Sequence, residues 1–521
     1  MIRPRSALLA LVALTAHCAP RPALFSDASA MDALDAQAPD ASAPDAQAPE
    51  ASAPDASAPD AMSGDPCVGI ATRASDDEAL SDAIACVSRA GTSAAVAAAA
   101  IAEMVTVVEG RGGFPVLGAS GVRFVYVRDA RWDAEDDARS SSEDFAAARR
   151  NEPITVAGEF NAWNPTSMPM QHHGHGLFVA SLAMRPSDAM RWGYKFVARD
   201  PATSPVWFSD PLSRRFQYDT NGRISFVRGD TRAGHLEWIR SVRATQLANE
   251  RRIYLYVPPG YDQRETVRYP TLYMHDGNNA FDTAQPFSAP ATWDVDATSD
   301  TEILAGNSRP FVIIAVPNNG DRMDEYTHTM DTLSGRRLGG RGAQYLDFIV
   351  RDLKPEIDRR YRTRTGREDT AMVGSSLGGL ITFYAGILHP DVFSAVAGMS
   401  STFGWGSFGG GTDTMIARYR AAGSLAMRNQ RFYLDSGGGP AGDGSCTFGG
   451  MSEPRDNFCE TRDMRTTLVA AGVTTFALDP SATMIQPANT NIVHWYEADA
   501  PHNEAAWRVR MFRVLRFFFR P

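Results

Sequence analysis

Apolar and polar positions follow three successive patterns along the chain. Residues 66–110 read as helical: Ser75-Asp76-Asp77-Glu78 is a helix start with capping-box spacing between Ser75 and Glu78, and an alanine-rich run covers 93–108. From 113 to 230 apolar and polar residues alternate between frequent turns. Short strands are predicted over 122–127, 154–163, 176–180, 191–197 and 207–212, spaced as in a β-sandwich. Beyond 235 the pattern changes again. Apolar runs at 253–257, 271–274, 311–317 and 431–435 read as strands, and 345–361 and 503–519 as helices. This alternation predicts a mainly parallel sheet covered on both faces, an α/β architecture.

The length of 521 residues implies two or three domains. Net charge is −10, yet 27–60 holds eight acids and no Lys or Arg, so the remainder is close to neutral. That balance gives no basis for a nucleic-acid partner. Arg3 and Arg5 precede an apolar run over 7–16 and then Cys18, which together read as a secretory signal over 1–18. Leu14-Thr15-Ala16-His17-Cys18 resembles a bacterial lipoprotein cleavage site, although His17 stands where a small residue normally precedes the cysteine. The resemblance implies lipidation of Cys18 and an exported, envelope-anchored or secreted protein. Contact with a membrane is expected only through that lipid, because no other apolar run is long enough to span one. Residues 19–65 form a linker in which D-A-x-A-P repeats over 35–60, an extended and self-repelling tether. The other cysteines fall into two local pairs, Cys67 with Cys86 and Cys446 with Cys459, which an exported protein can keep as disulfides. Neither pair has zinc-ligand spacing, so no metal or cofactor is expected.

The chemistry concentrates at Gly374-Ser375-Ser376-Leu377-Gly378, a G-x-S-x-G pattern at the junction of an apolar strand and an apolar helical run. Such an elbow pushes Ser376 out at the top of a sheet as a nucleophile. The free N–H groups at the helix start, that of Leu377 first, lie where an oxyanion would form.

V-P-P-G-Y, L-Y-M-H-D-G-N-N, A-V-P-N-N with D-E-Y-T, G-S-S-L-G-G and P-H-N-E-A-A-W occur in this order over about 280 residues. They resemble the esterase D-type esterases, which include enterochelin, feruloyl and acetylxylan esterases. The resemblance implies an α/β-hydrolase domain over 235–521 that cleaves esters by a serine nucleophile without metal. Upstream, G-E-F-N-A-W, Y-K-F and D-P-L over 113–230 resemble the early-set sandwich related to glycogen-binding modules. Trp163, Trp192 or Trp207 would then either stack on sugar rings or fill the core and the domain interface. His172-His173-Gly174-His175 is read as a hairpin loop rather than a metal site.

His502, just before the last helix, stands where this fold places its base, and His494 is assigned to a buried strand. The acid should follow the strand after the elbow helix. Asp443 is the first candidate, since relatives place the acid a few residues past a strand-end glycine, and Asp435 is the alternative. A Ser–His dyad, as among enterochelin esterase relatives, is the third arrangement. The second oxyanion donor is expected at Gly277 or Asn278. The leading function is hydrolysis of a small-molecule or polysaccharide-linked ester, with acyl or feruloyl groups first and a siderophore ester second. A non-catalytic glycan-binding protein and an acyltransferase are the other classes.

Overall fold

Ser75 caps the first helix of the computed structural model, which describes residues 65–128, 153–199, 204–219, 222–281, 292–426, 429–439, 456–473 and 491–521. The signal segment with Cys18, nearly all of the linker, Asp443 and Cys446 lie outside those residues. The Ser75 hydroxyl accepts from the Glu78 N–H at 3.2 Å, and the Glu78 carboxylate accepts from the Ser75 N–H at 3.1 Å. The helix runs Asp76–Ser88, is tied to Cys67 by a disulfide at Cys86, and is followed by a second helix, Ala94–Glu109. Both bury their apolar faces in one cluster with Val125, Val127, Leu177 and Val179 of the following strands.

Those strands belong to one of two facing sheets. Val122–Val127 pairs antiparallel with Leu177–Leu182, which pairs with Gln171–Gly174. Across from them lie Ile154–Gly158, Gly193–Ala198, Gly222–Phe226 and Arg215–Asp219. Alternate residues point inward. Phe124, Tyr126 and Phe178 from one sheet meet Val156, Tyr194 and Phe196 from the other, with Phe124 edge-on to Tyr194 at 4.8 Å. The histidine-rich hairpin loop needs correction. His172 and His173 lie within the Gln171–Gly174 strand, the His172 ring stacks on Phe178 at 4.4 Å, and only His175 and Gly176 turn the chain, at φ 47° and 80°. Trp163, Trp192 and Trp207 are half-buried, Trp163 against Trp207 at 6.4 Å and Trp192 against Phe160 at 5.9 Å.

The second of these sheets does not stop at residue 230. Arg215–Asp219 pairs antiparallel with His235–Ala244, which leads through Asn249–Val257 to the α/β half. There the order is Val312–Ala315, Thr271–Met274, Thr370–Ser375, Ala395–Met399, Arg431–Gly437 and Ile492–Glu497, each parallel to its neighbour. Successive residues alternate between the two faces: Tyr273 and Met372 join one core, Leu272 and Val373 the other. The Leu377–Leu388 helix covers the first face through Leu380, Ile381 and Phe383. The Glu504–Phe518 helix covers the second through Trp507, Met511, Val514 and Phe518, an i, i+4, i+7, i+11 stripe. All six parallel strands end on the same edge of the sheet, and the loops leaving that edge carry the polar residues described next. Among the described residues, no helix is long and apolar enough to cross a membrane.

Candidate active site

Ser376 sits between a fully buried strand and a helix at φ 56° and ψ −122°, a backbone state that L-residues rarely adopt. The glycines two positions away on each side permit it. A Cβ on Gly374 would lie 2.5 Å from the Gly378 carbonyl carbon, so strand and helix could not otherwise approach. The turn is pinned from the neighbouring strand: the Ser376 N–H donates to the Met399 carbonyl at 3.0 Å, and the Thr402 N–H donates to the Ser376 carbonyl at 3.2 Å. Among the described residues the Ser376 hydroxyl has Thr402 Oγ1 as its hydrogen-bond partner, at 3.5 Å.

His502 lies in the loop before the Glu504–Phe518 helix, with its side chain 37% exposed and its ring edge-on to Trp507 at 5.0 Å. Its Nδ1 is hydrogen-bonded to the carboxylate of Asp456, which fixes the tautomer and leaves Nε2 as the nitrogen that can act as a base. Asp456 is 4% exposed as a side chain. Its other oxygen accepts from the Ser400 hydroxyl at 2.5 Å and from the Gly437 N–H. The contacts run without a break from the elbow to the base: Ser376 is held by Met399 and Thr402, Ser400 lies between those two, and Ser400 reaches Asp456 and so His502.

The carboxylate on His502 is thus neither of the two expected. Asp443 lies outside the described residues. Asp435 is fully buried, at the end of the Arg431–Gly437 strand, and spends its oxygens elsewhere. It accepts from Tyr433 Oη at 2.9 Å and from Arg510 Nη2 at 3.2 Å. Burial pushes its carboxyl above the ordinary range, partly offset by Arg510. Asp456 comes 19 residues after Gly437, on the far side of the glycine-rich insertion. The sequence did carry a signal for it. Asp456-Asn457 directly precedes the helical run Phe458–Ala470, and both residues hold left-handed backbone, at φ 51° and 60°, which Asp and Asn tolerate.

The second donor loop follows the Thr271–Met274 strand. Asp276 is left-handed at φ 55°, and its carboxylate accepts from Arg322 through two bonds, at 2.6 and 2.8 Å, and from Asn318 at 2.6 Å. Burial raises the Asp276 carboxyl, and these bonds outweigh burial and hold it below the ordinary range. Gly277 is not a donor to the site, because its N–H is spent on the Val316 carbonyl at 2.9 Å. Its lack of a side chain has another reason: a Cβ there would stand 2.6 Å from the Ala315 carbonyl carbon. Asn278 remains, with its N–H free of acceptors among the described residues, and so does that of Leu377. Asn278 is locked to Asn318, whose N–H donates to Asn278 Oδ1 at 2.8 Å. The loop abuts the elbow helix, since a Cβ on Gly378 would lie 3.3 Å from Asp276 Oδ2.

Two other histidines, His275 and His494, do not compete as bases. His275 is buried with Nδ1 on Tyr345 Oη at 2.9 Å, and burial lowers it to about 3. His494 lies in the Ile492–Glu497 strand, lowered to about 4 by burial and by Arg465 and Arg462 nearby. Two cavities, of about 180 and 340 Å³, are lined by other parts of the chain, among them Arg214, Trp238, Arg240 and Arg228, and do not include Ser376, His502 or Asp456. Among the described residues no cluster of His, Cys, Asp and Glu could hold a metal ion.

A family profile, Putative esterase, matches residues 244–518. An endo-1,4-beta-xylanase/feruloyl esterase of Xylanibacter ruminicola is 26% identical over 192 residues, 36% of this chain and 23% of that protein. The ferri-bacillibactin esterase BesA of Bacillus subtilis is 27% identical over 187 residues, 32% of this chain and 58% of that protein. The chain thus spans only part of the length of the curated relatives it matches. Among solved structures, the enterobactin esterase FES of Shigella flexneri is 16% identical, covers 77% of this chain and 94% of its own, and has a TM-score of 0.39.

Proposed function

Because the chain belongs to the Putative esterase family, we propose that it is a serine esterase that cleaves carboxylic esters through an acyl-enzyme on Ser376. The observation that carries the reading is the pairing of His502 with Asp456, which Ser400 links to the segment holding the strained serine elbow. His502 Nε2 takes the Ser376 proton as Oγ attacks the ester carbonyl, and returns it to the departing alcohol. Asp456 holds the imidazole in the required tautomer and stabilises the imidazolium. The N–H groups of Leu377 and Asn278 receive the oxyanion. Water then repeats the cycle on the acyl-enzyme with the same base.

The substrate class is an acyl or feruloyl ester linked to polysaccharide, supported by the likeness to a feruloyl esterase. A siderophore ester is the second reading, supported by the likeness to a ferri-bacillibactin esterase. The half-buried Trp163–Trp207 pair is the surface that would meet glycan. We place the protein outside the cytoplasm, as a lipoprotein through Cys18 or as a secreted form, on the strength of the N-terminal residues. The purified chain should hydrolyse p-nitrophenyl acetate and at least one of a panel of acetyl, feruloyl and catecholate-siderophore esters. A chain inert towards all of them would overturn the reading in favour of a binding protein.

A further inference from the structure

Behind His502 and Asp456 lies a set of buried charges that the hydrolytic steps do not use. Ser400 Oγ accepts from Trp507 Nε1 at 3.0 Å and from Arg510 Nη2 at 3.3 Å. A hydroxyl has two lone pairs and one proton. With both lone pairs taken, the proton must point at the remaining neighbour, Asp456 Oδ2, at 2.5 Å. Arg510 has no exposed side-chain surface and lies between two carboxylates, 3.2 Å from Asp435 Oδ1 and 4.0 Å from Asp456 Oδ2. Asp435 takes the closer place and is completed by Tyr433 Oη. Among the described residues, the other charged or titratable groups facing this set are Glu504, towards His502, and Arg513, towards Tyr433.

Counting charges gives the consequence. Asp435 and Arg510 cancel, so the buried set keeps one net negative charge, on Asp456, directed at the imidazole. If Asp435 were neutral, Arg510 would be left to neutralise Asp456. An imidazolium on His502 would then lose its stabilising partner.

We propose that Asp435 is a positioning residue that engages Arg510 so that Asp456 keeps its charge for His502, with Ser400 as the hydroxyl that orients the acid. The inference rests on the esterase reading and extends it to residues that touch neither substrate nor base. It also gives Asp435 a function that a purely local reading of the triad would assign to the triad acid.

The test is the NMR titration of the His502 imidazole in the full chain, alongside the pH dependence of kcat/KM. Asp435→Asn should lower the His502 pKa by about one unit, roughly tenfold in proton affinity, and move the acid limb of the rate profile down with it. Asp435→Asn combined with Arg510→Met removes both charges and should restore the pKa. An unshifted pKa in Asp435→Asn, or a shift that persists in the double variant, overturns the proposal. If Asp435→Asn does not fold, Ser400→Ala decides. It should lower kcat at least about tenfold with KM unchanged, as expected when a group acts only in the transition state, and an unchanged kcat overturns the proposal. A wild-type chain without esterase activity would sink the functional reading instead, and the titration would still report on the charge coupling.

Discussion

At the scale of single residues the account depends on Asp456. Asp456→Asn should keep the fold and reduce kcat about 10⁴-fold, the cost of a triad acid whose loss releases the base's tautomer. Steady-state kinetics with circular dichroism on the same preparation checks this, and retention of near-wild-type kcat would point to a Ser–His dyad. Gly374→Ala should be as damaging by another route. Its Cβ would collide at 2.5 Å with backbone of Gly378, so soluble yield and activity should fall together. The contrast between these two positions shows what a sequence makes legible. The elbow is a contiguous pattern whose glycines have a local steric cause, and Ser376 and Leu377 can be found from it. The acid is set by a contact across the sheet edge after a long insertion. The place of the acid in relatives therefore points to Asp443, with Asp435 at the strand end as the alternative, and only the fold brings Asp456 to His502. Gly277 is a smaller case of the same kind: its sequence neighbourhood suits an oxyanion donor, but its N–H is already taken by Val316.

At the scale of elements, the capped helices were the easiest to read, because capping and amphipathic spacing are local. Ser75→Ala should lower stability by about 1 kcal/mol by removing an N-cap acceptor. The disulfide from Cys67 to Cys86, with a sequence separation of 19, should contribute about 3 kcal/mol. Thermal unfolding with and without reductant, and of the Ser75 variant, measures both effects. A transition indifferent to reductant would show that the helical segment does not limit stability. The strands at 122–127 and 271–274 were also legible, from their alternation and from their apolar run. Of the hairpin at 171–182, the second strand was legible and the first was not, because two histidines in succession look like a loop. Here His172 stacks on Phe178 and is a cross-strand partner.

At the scale of the whole molecule, composition and alternation separated the sandwich-like and α/β parts but could not show that one sheet runs through both. That continuity rests on pairing between Arg215–Asp219 and His235–Ala244, and pairing across a junction leaves no periodic trace. A buried charge group sits at the junction. Glu237 is fully buried, 2.9 Å from Arg214 and within reach of Arg215, His235 and Tyr361. Burial would raise its carboxyl, but Arg214 and the other partners outweigh burial and lower it from 4.5 to about 2. The unfolded chain therefore binds this proton first on acidification. The stability from Glu237, about 3 kcal/mol, is complete above the unfolded value and is lost as pH falls through the folded one. Denaturant unfolding of wild type should weaken over that window, and Glu237→Gln should be less stable at neutral pH with a flatter acid dependence.

The central claim, that this sheet edge is a hydrolytic site with Ser376 as its nucleophile, is tested most directly by a fluorophosphonate probe followed by peptide mass mapping. One adduct per chain is expected, on the peptide carrying Ser376, absent in Ser376→Ala and strongly slowed in His502→Ala. Labelling that persists in Ser376→Ala, or that maps to a different serine, would contradict it.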